Sequence, residues 1–255
     1  MLKSILGLSA VALATAIATP ALADDDGLGL SINGGATVVS DYRFRGISQT
    51  NKKFAVQGSL TVSHTSGFYV SVWGSTIDDY IAAGGDQEID LIAGYKKTFD
   101  GITVDGGVLY YYYPGSSEII PGVNSDFVEP YLSVSGAVGP VTAKVGAAYA
   151  PKQHALSFAG SKPREDNLYV YGELSGAIPG TPLSVLSHLG HSFGPSYLTI
   201  GKEYTDWNVG VSYTYKNLTF SATYVDTNKD LFVVDSKGSH NISKTGFVGA
   251  VGVSF

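Results

Sequence analysis

The 255-residue chain contains no cysteine, so no disulfide framework and no cysteine-based metal or redox site can hold it together. Charge is also scarce: 15% of residues are Asp, Glu, Lys or Arg, against about 25% in an ordinary soluble domain. The net charge of −6 argues against nucleic acid as a partner. After residue 23 there is no apolar run near the ~20 residues that a membrane-spanning helix needs. What is abundant is glycine, 32 residues, and tyrosine, 17. Weak charge, tyrosine and glycine suit a transmembrane β-barrel, in which a closed ring of hydrogen bonds supplies the stability that disulfides would otherwise give. A secreted β-sandwich or lectin is compatible with these totals taken alone.

Residues 1–23 read as a secretory signal peptide. Lys3 is the positive start, 5–18 is an apolar stretch, and Ala21-Leu22-Ala23 is a cleavage site followed by Asp24-Asp25-Asp26. A membrane anchor is the alternative, but the apolar run is too short for it. With no cysteine after the cleavage point, a lipid-modified cysteine is excluded. The expected mature chain, 24–255, is long enough for one all-β domain.

From residue 32 onward, segments of about ten residues alternate apolar and polar. Twelve are expected: 32–45, 54–64, 68–77, 88–99, 102–113, 127–136, 141–150, 168–178, 183–193, 206–215, 218–225 and 247–255. The second shows the pattern well, with Phe54, Val56, Gly58, Leu60 and Val62 set against Ala55, Gln57, Ser59, Thr61 and Ser63. The connections alternate too. Those at 64–67, 100–101, 139–140, 179–182 and 216–217 are short and rich in turn residues. Those at 46–53, 78–86, 114–125, 151–167, 194–205 and 226–245 are long. A sandwich has no reason to alternate in this way. An outer-membrane barrel does, with short periplasmic turns and long outer loops. The expected fold is therefore all-β, an antiparallel up-and-down transmembrane barrel of about twelve strands with both termini in the periplasm of a Gram-negative cell. The last segment ends on Phe255; such a terminal strand would close the ring, meet outer-membrane lipid and be the part that barrel-assembly machinery engages.

Burying a charge on the lipid face costs about 2–4 kcal/mol for Arg or Lys near the midplane. Charged positions therefore mark the lumen: Asp41, Arg43, Arg45, Glu88, Asp90, Lys96, Asp105, Glu129, Lys144 and Glu173 all fall opposite the aliphatic face. Lys97 breaks the pattern near a strand end, where it can reach the interface. Tyr42, Phe44, Tyr110, Tyr112, Tyr149, Tyr213, Tyr215 and Tyr224 are expected to form lipid-side girdles. Asp41, Arg43 and Arg45 suggest a charged constriction that selects solutes. Equally, the arginines could pair with Glu129 and Glu173 and fill the barrel, since eight strands are packed inside and sixteen leave a channel.

No cofactor or metal is expected. The loop aspartates Asp78, Asp79, Asp86, Asp226, Asp230 and Asp235 lack the spacing of a calcium loop. A hydrolytic site would need converging serine, histidine and an orienting group. On one strand His188 and Ser192 lie four apart on the inward face and Ser187 and His191 four apart on the outward face; the outward pair is the better candidate but has no outward carboxylate near it in sequence, so an enzyme is not expected.

The stretch Ser40-Asp41-Tyr42-Arg43-Phe44-Arg45-Gly46-Ile47-Ser48-Gln49 resembles the opening segment of the TorF family of outer-membrane porins, with Ser40, Asp41, Tyr42, Phe44, Arg45, Gly46, Ser48 and Gln49 matching. Residues 206–213, 218–220, 224–227 and the final strand are similar as well. The resemblance implies a membrane barrel that passes solutes and carries over no catalytic residue. Passive diffusion of small hydrophilic solutes is the expected function. The alternative is a non-conducting structural or adhesive barrel that binds partners through its long outer loops.

Overall fold

The computed structural model describes residues 28–116, 124–157, 164–235 and 238–255; residues 1–27, which include the expected signal segment 1–23, and parts of three loops lie outside them. The strands are β1 (Leu30–Val39), β2 (Arg43–Phe44), β3 (Ile47–Ser48), β4 (Ala55–His64), β5 (Phe68–Thr76), β6 (Gln87–Phe99), β7 (Ile102–Tyr112), β8 (Phe127–Val138), β9 (Val141–Gln153), β10 (Glu165–Ala177), β11 (Leu183–Phe193), β12 (Tyr204–Tyr215), β13 (Leu218–Thr227), β14 (Phe232–Asp235), β15 (Gly238–Asn241) and β16 (Gly246–Ser254). Twelve of them, β1, β4 to β13 and β16, form one closed antiparallel barrel. Each neighbours the next in the chain, and β16 returns to β1 through Gly35↔Ser254 to Val39↔Ala250. The small β2–β3 and β14–β15 hairpins stand apart from the ring.

Alternation drives this outcome. On β8, Leu132 and Val134 are exposed while Phe127, Glu129 and Ser133 are buried. On β12, Val209 and Val211 point out while Asp206 and Asn208 point in. Around the ring the outward positions are Val, Leu, Phe and Tyr, an apolar band that only lipid would cover. Strands of nine to thirteen residues match a bilayer crossing. Tight turns such as Asp100-Gly101, both with positive φ (48° and 85°), close the short end. Both ends of the described chain, at Leu28 and Phe255, lie at this short-turn end: Leu30 pairs with His64 beside one turn, and Ser254 donates its backbone N–H to Asn217 O in another.

Most expected boundaries hold within three residues, and 183–193 coincides with β11. The first strand does not. Instead of running to Arg45, β1 ends at Val39 and the chain turns inward. Tyr110, Tyr112, Tyr149, Tyr213, Tyr215 and Tyr224 lie on the outer face as expected, but Tyr42 and Phe44 are buried inside the barrel and belong to no lipid girdle.

The lipid-face assignment predicts that Leu132→Arg, mid-strand on β8 and pointing outward, destabilises the barrel by about 2–4 kcal/mol in reversible unfolding from lipid vesicles. Thr61→Arg, facing the lumen on β4, should cost far less in the same assay.

Candidate functional site

The site is the long-loop half of the lumen, filled by the segment between β1 and β4. Ser40 ties the exit of β1 to β16: its N–H donates to Gly249 O at 2.8 Å and its Oγ accepts from Gly249 N at 2.9 Å. Residues 41–50 are then almost wholly buried. Asp41 organises them. Its Oδ2 accepts from Arg43 Nε at 2.6 Å and its Oδ1 from Ser48 Oγ at 2.6 Å. Arg43 pairs with Ser48 and Phe44 with Ile47 in the β2–β3 ladder.

The turn between them is Arg45-Gly46, with φ of 48° and 79°, the sign combination of a two-residue hairpin loop. Gly46 also faces a close approach: a Cβ there would lie 2.6 Å from Thr227 Cγ2 and 2.9 Å from Asp206 Cβ. Any other residue would be strained at this φ and would force Thr227, Asp206 or the hairpin to shift.

Arg45 at the tip is the anchor. Its Nη2 donates to both oxygens of Glu129 on β8, at 2.8 and 2.7 Å, and Nη1 donates to Asn167 Oδ1 on β10 at 3.2 Å. The guanidinium lies 4.2 Å from the centre of the Tyr169 ring and 4.7 Å from that of Phe44. Tyr204 Oη donates to the Arg45 carbonyl at 3.0 Å, and Tyr111 Oη donates to Glu129 at 3.2 Å. The ion-paired side chains are 1% and 2% exposed, so this bridge is shielded from salt and solvent. Apolar packing surrounds it. Tyr42 tilts against Trp73 at 5.4 Å, Phe44 meets Tyr111 edge-on at 6.0 Å, and Tyr111 stacks on Phe127 at 4.1 Å.

The long loops hold the segment from their own end of the barrel. Ile47, Tyr204, Leu231 and Ile242 form one buried cluster. Ser48 N–H donates to Ile242 O at 2.8 Å, Tyr80 Oη to Ser48 O at 2.6 Å, and Arg43 Nη1 to Lys244 O at 3.0 Å.

The short-turn half is different. Inward positions there are small and polar, and they are partly solvent-exposed: Ser31 and Asn33 on β1, Ser59 and Thr61 on β4, Ser212 on β12 and Ser221 on β13. Charges line one wall. Lys144 Nζ lies 3.4 Å from Glu173 Oε2. His188 sits between Glu173, 3.2 Å away, and Asp206, 3.4 Å away, with Tyr169 Oη 2.7 Å from its Nε2. Asp105 accepts from Tyr69 Oη at 2.8 Å, Tyr69 and Tyr131 share a hydroxyl contact, and Lys96 Nζ lies 5.8 Å from the Tyr69 ring centre.

Glu88, Asp90, Lys96, Asp105, Glu129, Lys144 and Glu173 thus face the lumen from their strands, as their positions opposite the aliphatic face suggest. Asp41, Arg43 and Arg45 come from the inward segment, not from the face of a barrel strand, so they form no row of charges along the wall. Arg45 does pair with Glu129, but Glu173 is taken by Lys144 and His188. Alternation located the wall charges. It could not locate Asn167, Tyr169 and Tyr204 as partners of the tip, because inward pointing says nothing of what fills the centre. Among the described residues no cluster of His, Asp and Glu could hold a metal. His191 does gain an orienting carboxylate, Glu203 at 2.9 Å, brought by a loop. Ser187, four residues along the same strand, is about 13 Å from it by strand rise, too far for serine activation.

This arrangement belongs to a known family. The family model for a bacterial protein of unknown function, Gcw_chp, matches residues 24–255, and the chain is a member. No curated protein matches it. Among solved structures, one from work on the in-meso crystallization of membrane proteins is similar, with 12% identity and a TM-score of 0.53 over 88% of this chain and 83% of that one. A loop L8 deletion mutant of OmpT, an outer membrane protein of Vibrio cholerae, has 9% identity and a TM-score of 0.44 over 89% and 99%. A refined porin structure has 11% identity and a TM-score of 0.40 over the same shares. At 12% identity the first likeness is one of fold alone.

Breaking a buried pair by removing one partner strands the other charge, at a cost of about 3–5 kcal/mol. Arg45→Ala and Glu129→Ala should each destabilise by that much. The double variant should lose clearly less than the sum, which a double-mutant cycle of equilibrium unfolding would measure.

Proposed function

We propose that this chain is an outer-membrane channel for small hydrophilic solutes, closed at its outer end by its own first loop, with both termini in the periplasm and the long loops outside. The TorF-like opening segment is, on this reading, the closing element. What carries the reading is the abrupt change of lining along the lumen. The short-turn half is lined by partly solvent-exposed Ser, Thr and Asn, with charged side chains on one wall, a surface suited to hydrated solutes. That path ends on a discrete hairpin attached to the wall through one buried ion pair. A barrel built only as a scaffold gains nothing from a solvated half-lumen, because apolar packing would stabilise it more.

A second reading, a non-conducting barrel whose loops bind partners outside, is favoured by one observation. Leu231, Ile242 and Tyr204 clamp the hairpin from above with almost no exposure, as a fixed outer cap would require.

Conductance of the mature protein in a planar bilayer separates the two. Wild type should be closed or open only briefly, and Arg45→Ala should raise the open fraction several-fold. In that open variant, Lys144→Glu should shift selectivity toward cations. An Arg45→Ala protein that folds into the barrel and still never conducts would remove the channel reading and leave the second.

A further inference from the structure

A crevice at the long-loop end lies between the inward hairpin, the loop 77–86, the segment 194–203 and the β14–β15 hairpin. Phe44, Tyr80, Tyr113, Phe127 and Tyr197 contribute aromatic rings to its lining, and Glu88 of β6 lines it too. Glu88 is 2% exposed. Its only hydrogen-bond donor among the described residues is Tyr42 Oη, at 3.3 and 3.4 Å, long for a carboxylate acceptor. Among the described residues no cation pairs with it. The basic groups nearby are engaged elsewhere: Arg43 with Asp41, Arg45 with Glu129, Lys53 with Asp78. Two positions along β6, Asp90 is fully buried and neither of its carboxylate oxygens has a hydrogen-bond partner. Around the inward end of this crevice, Glu88, Asp90 and Glu129 thus face a single base, Arg45, which Glu129 already holds with both oxygens.

A buried carboxylate without a counter-charge is costly, and a low-dielectric surround strengthens any cation brought to it. Aromatic faces also attract cations, above all weakly hydrated organic ones. We propose that this crevice is a binding site for an organic cation with an apolar body, its ammonium head directed at Glu88 and its body against the aromatic lining. The small hydrophilic solutes proposed for the lumen are a different class, so this site goes beyond the channel reading and stands whether or not the lumen conducts. Selection would work by charge: the ammonium supplies the counter-charge that buried Glu88 lacks, and neither an anion of the same shape nor a neutral analogue supplies one.

The test is calorimetric titration of the folded protein, in a non-ionic detergent, with benzyltrimethylammonium, benzyl alcohol and benzoate. The ammonium should bind at least tenfold more tightly than the alcohol, and benzoate should not bind. Glu88→Gln, with its β-sheet circular dichroism unchanged, should abolish the preference for the cation over the alcohol. Val233→Arg, on the outer hairpin at the crevice, leaves Glu88 and the barrel wall untouched and should abolish binding of the ammonium through charge and bulk. Equal affinity for cation and alcohol, a cation preference that survives Glu88→Gln, or undiminished binding to Val233→Arg would each overturn the proposal.

Discussion

A backbone crossing hydrocarbon finds no water to hydrogen-bond, so a sheet can cross only as a ring without edges. Everything else in this molecule follows from the closure of β16 on β1. A ring has two faces with opposite requirements. The outer face accepts only apolar residues, so charge has nowhere to go but the lumen. A twelve-strand lumen is wider than wall side chains can fill. Near the short turns it is simply solvated, which Ser, Thr and Asn tolerate. Near the long loops it is filled by chain that the barrel itself supplies, the stretch 41–50, and the loop becomes in effect the core of a soluble domain set inside a membrane one.

That inner core obeys the rules of soluble packing. Its apolar part, Tyr42, Phe44, Trp73, Tyr111 and Phe127, holds the hairpin without direction. Its polar part fixes where the hairpin stops. A buried ion pair adds little net stability compared with an apolar substitute but penalises every misplaced alternative. Arg45 can satisfy Glu129, Asn167 and the Tyr169 face together in one position only. Gly46 sets the same position from the backbone side, since the space beside Asp206 and Thr227 admits no Cβ. Register is thus specified twice over, by charge and by shape.

The barrel was legible in the sequence because its two signals are periodic and local: alternation at period two, and turns that are short at one end and long at the other. Both survive at β11 and β8 without knowledge of any partner. The hairpin was not legible, because it carries the same alternation. Tyr42 and Phe44 continue the apolar face of β1, and Asp41, Arg43 and Arg45 continue its polar face, so nothing in the pattern distinguishes a strand that goes on from one that stops at Val39 and folds back. The only local sign is Gly46 after Arg45, a turn residue where a strand was expected to end. The contact that decides the matter, Arg45 with Glu129, spans 84 positions and leaves no periodic trace.

The two walls facing the hairpin are unequal, and this bears on how firmly the lumen is closed. Around the tip, Glu129, Asn167, Tyr169 and Tyr204 all find partners on the hairpin or beside it, although Arg45 Nε and, further along β12, Asn208 Oδ1 are buried without a hydrogen bond. The wall from β4 to β6 is less well satisfied. Gln57 Oε1, Trp73 Nε1 and both oxygens of Asp90 are buried without hydrogen bonds, and Trp73 and Asp90 are direct cross-strand partners. Each such group costs about 1–3 kcal/mol, so several on one patch consume much of what the apolar contacts with Tyr42 contribute. Water admitted along that wall would recover the cost, whereas water admitted on the Arg45 side would have to replace a bidentate ion pair. The closed arrangement is therefore tight on one side and poised on the other. A hairpin that yields should part from β4–β6 first, while its tip is still held by Glu129.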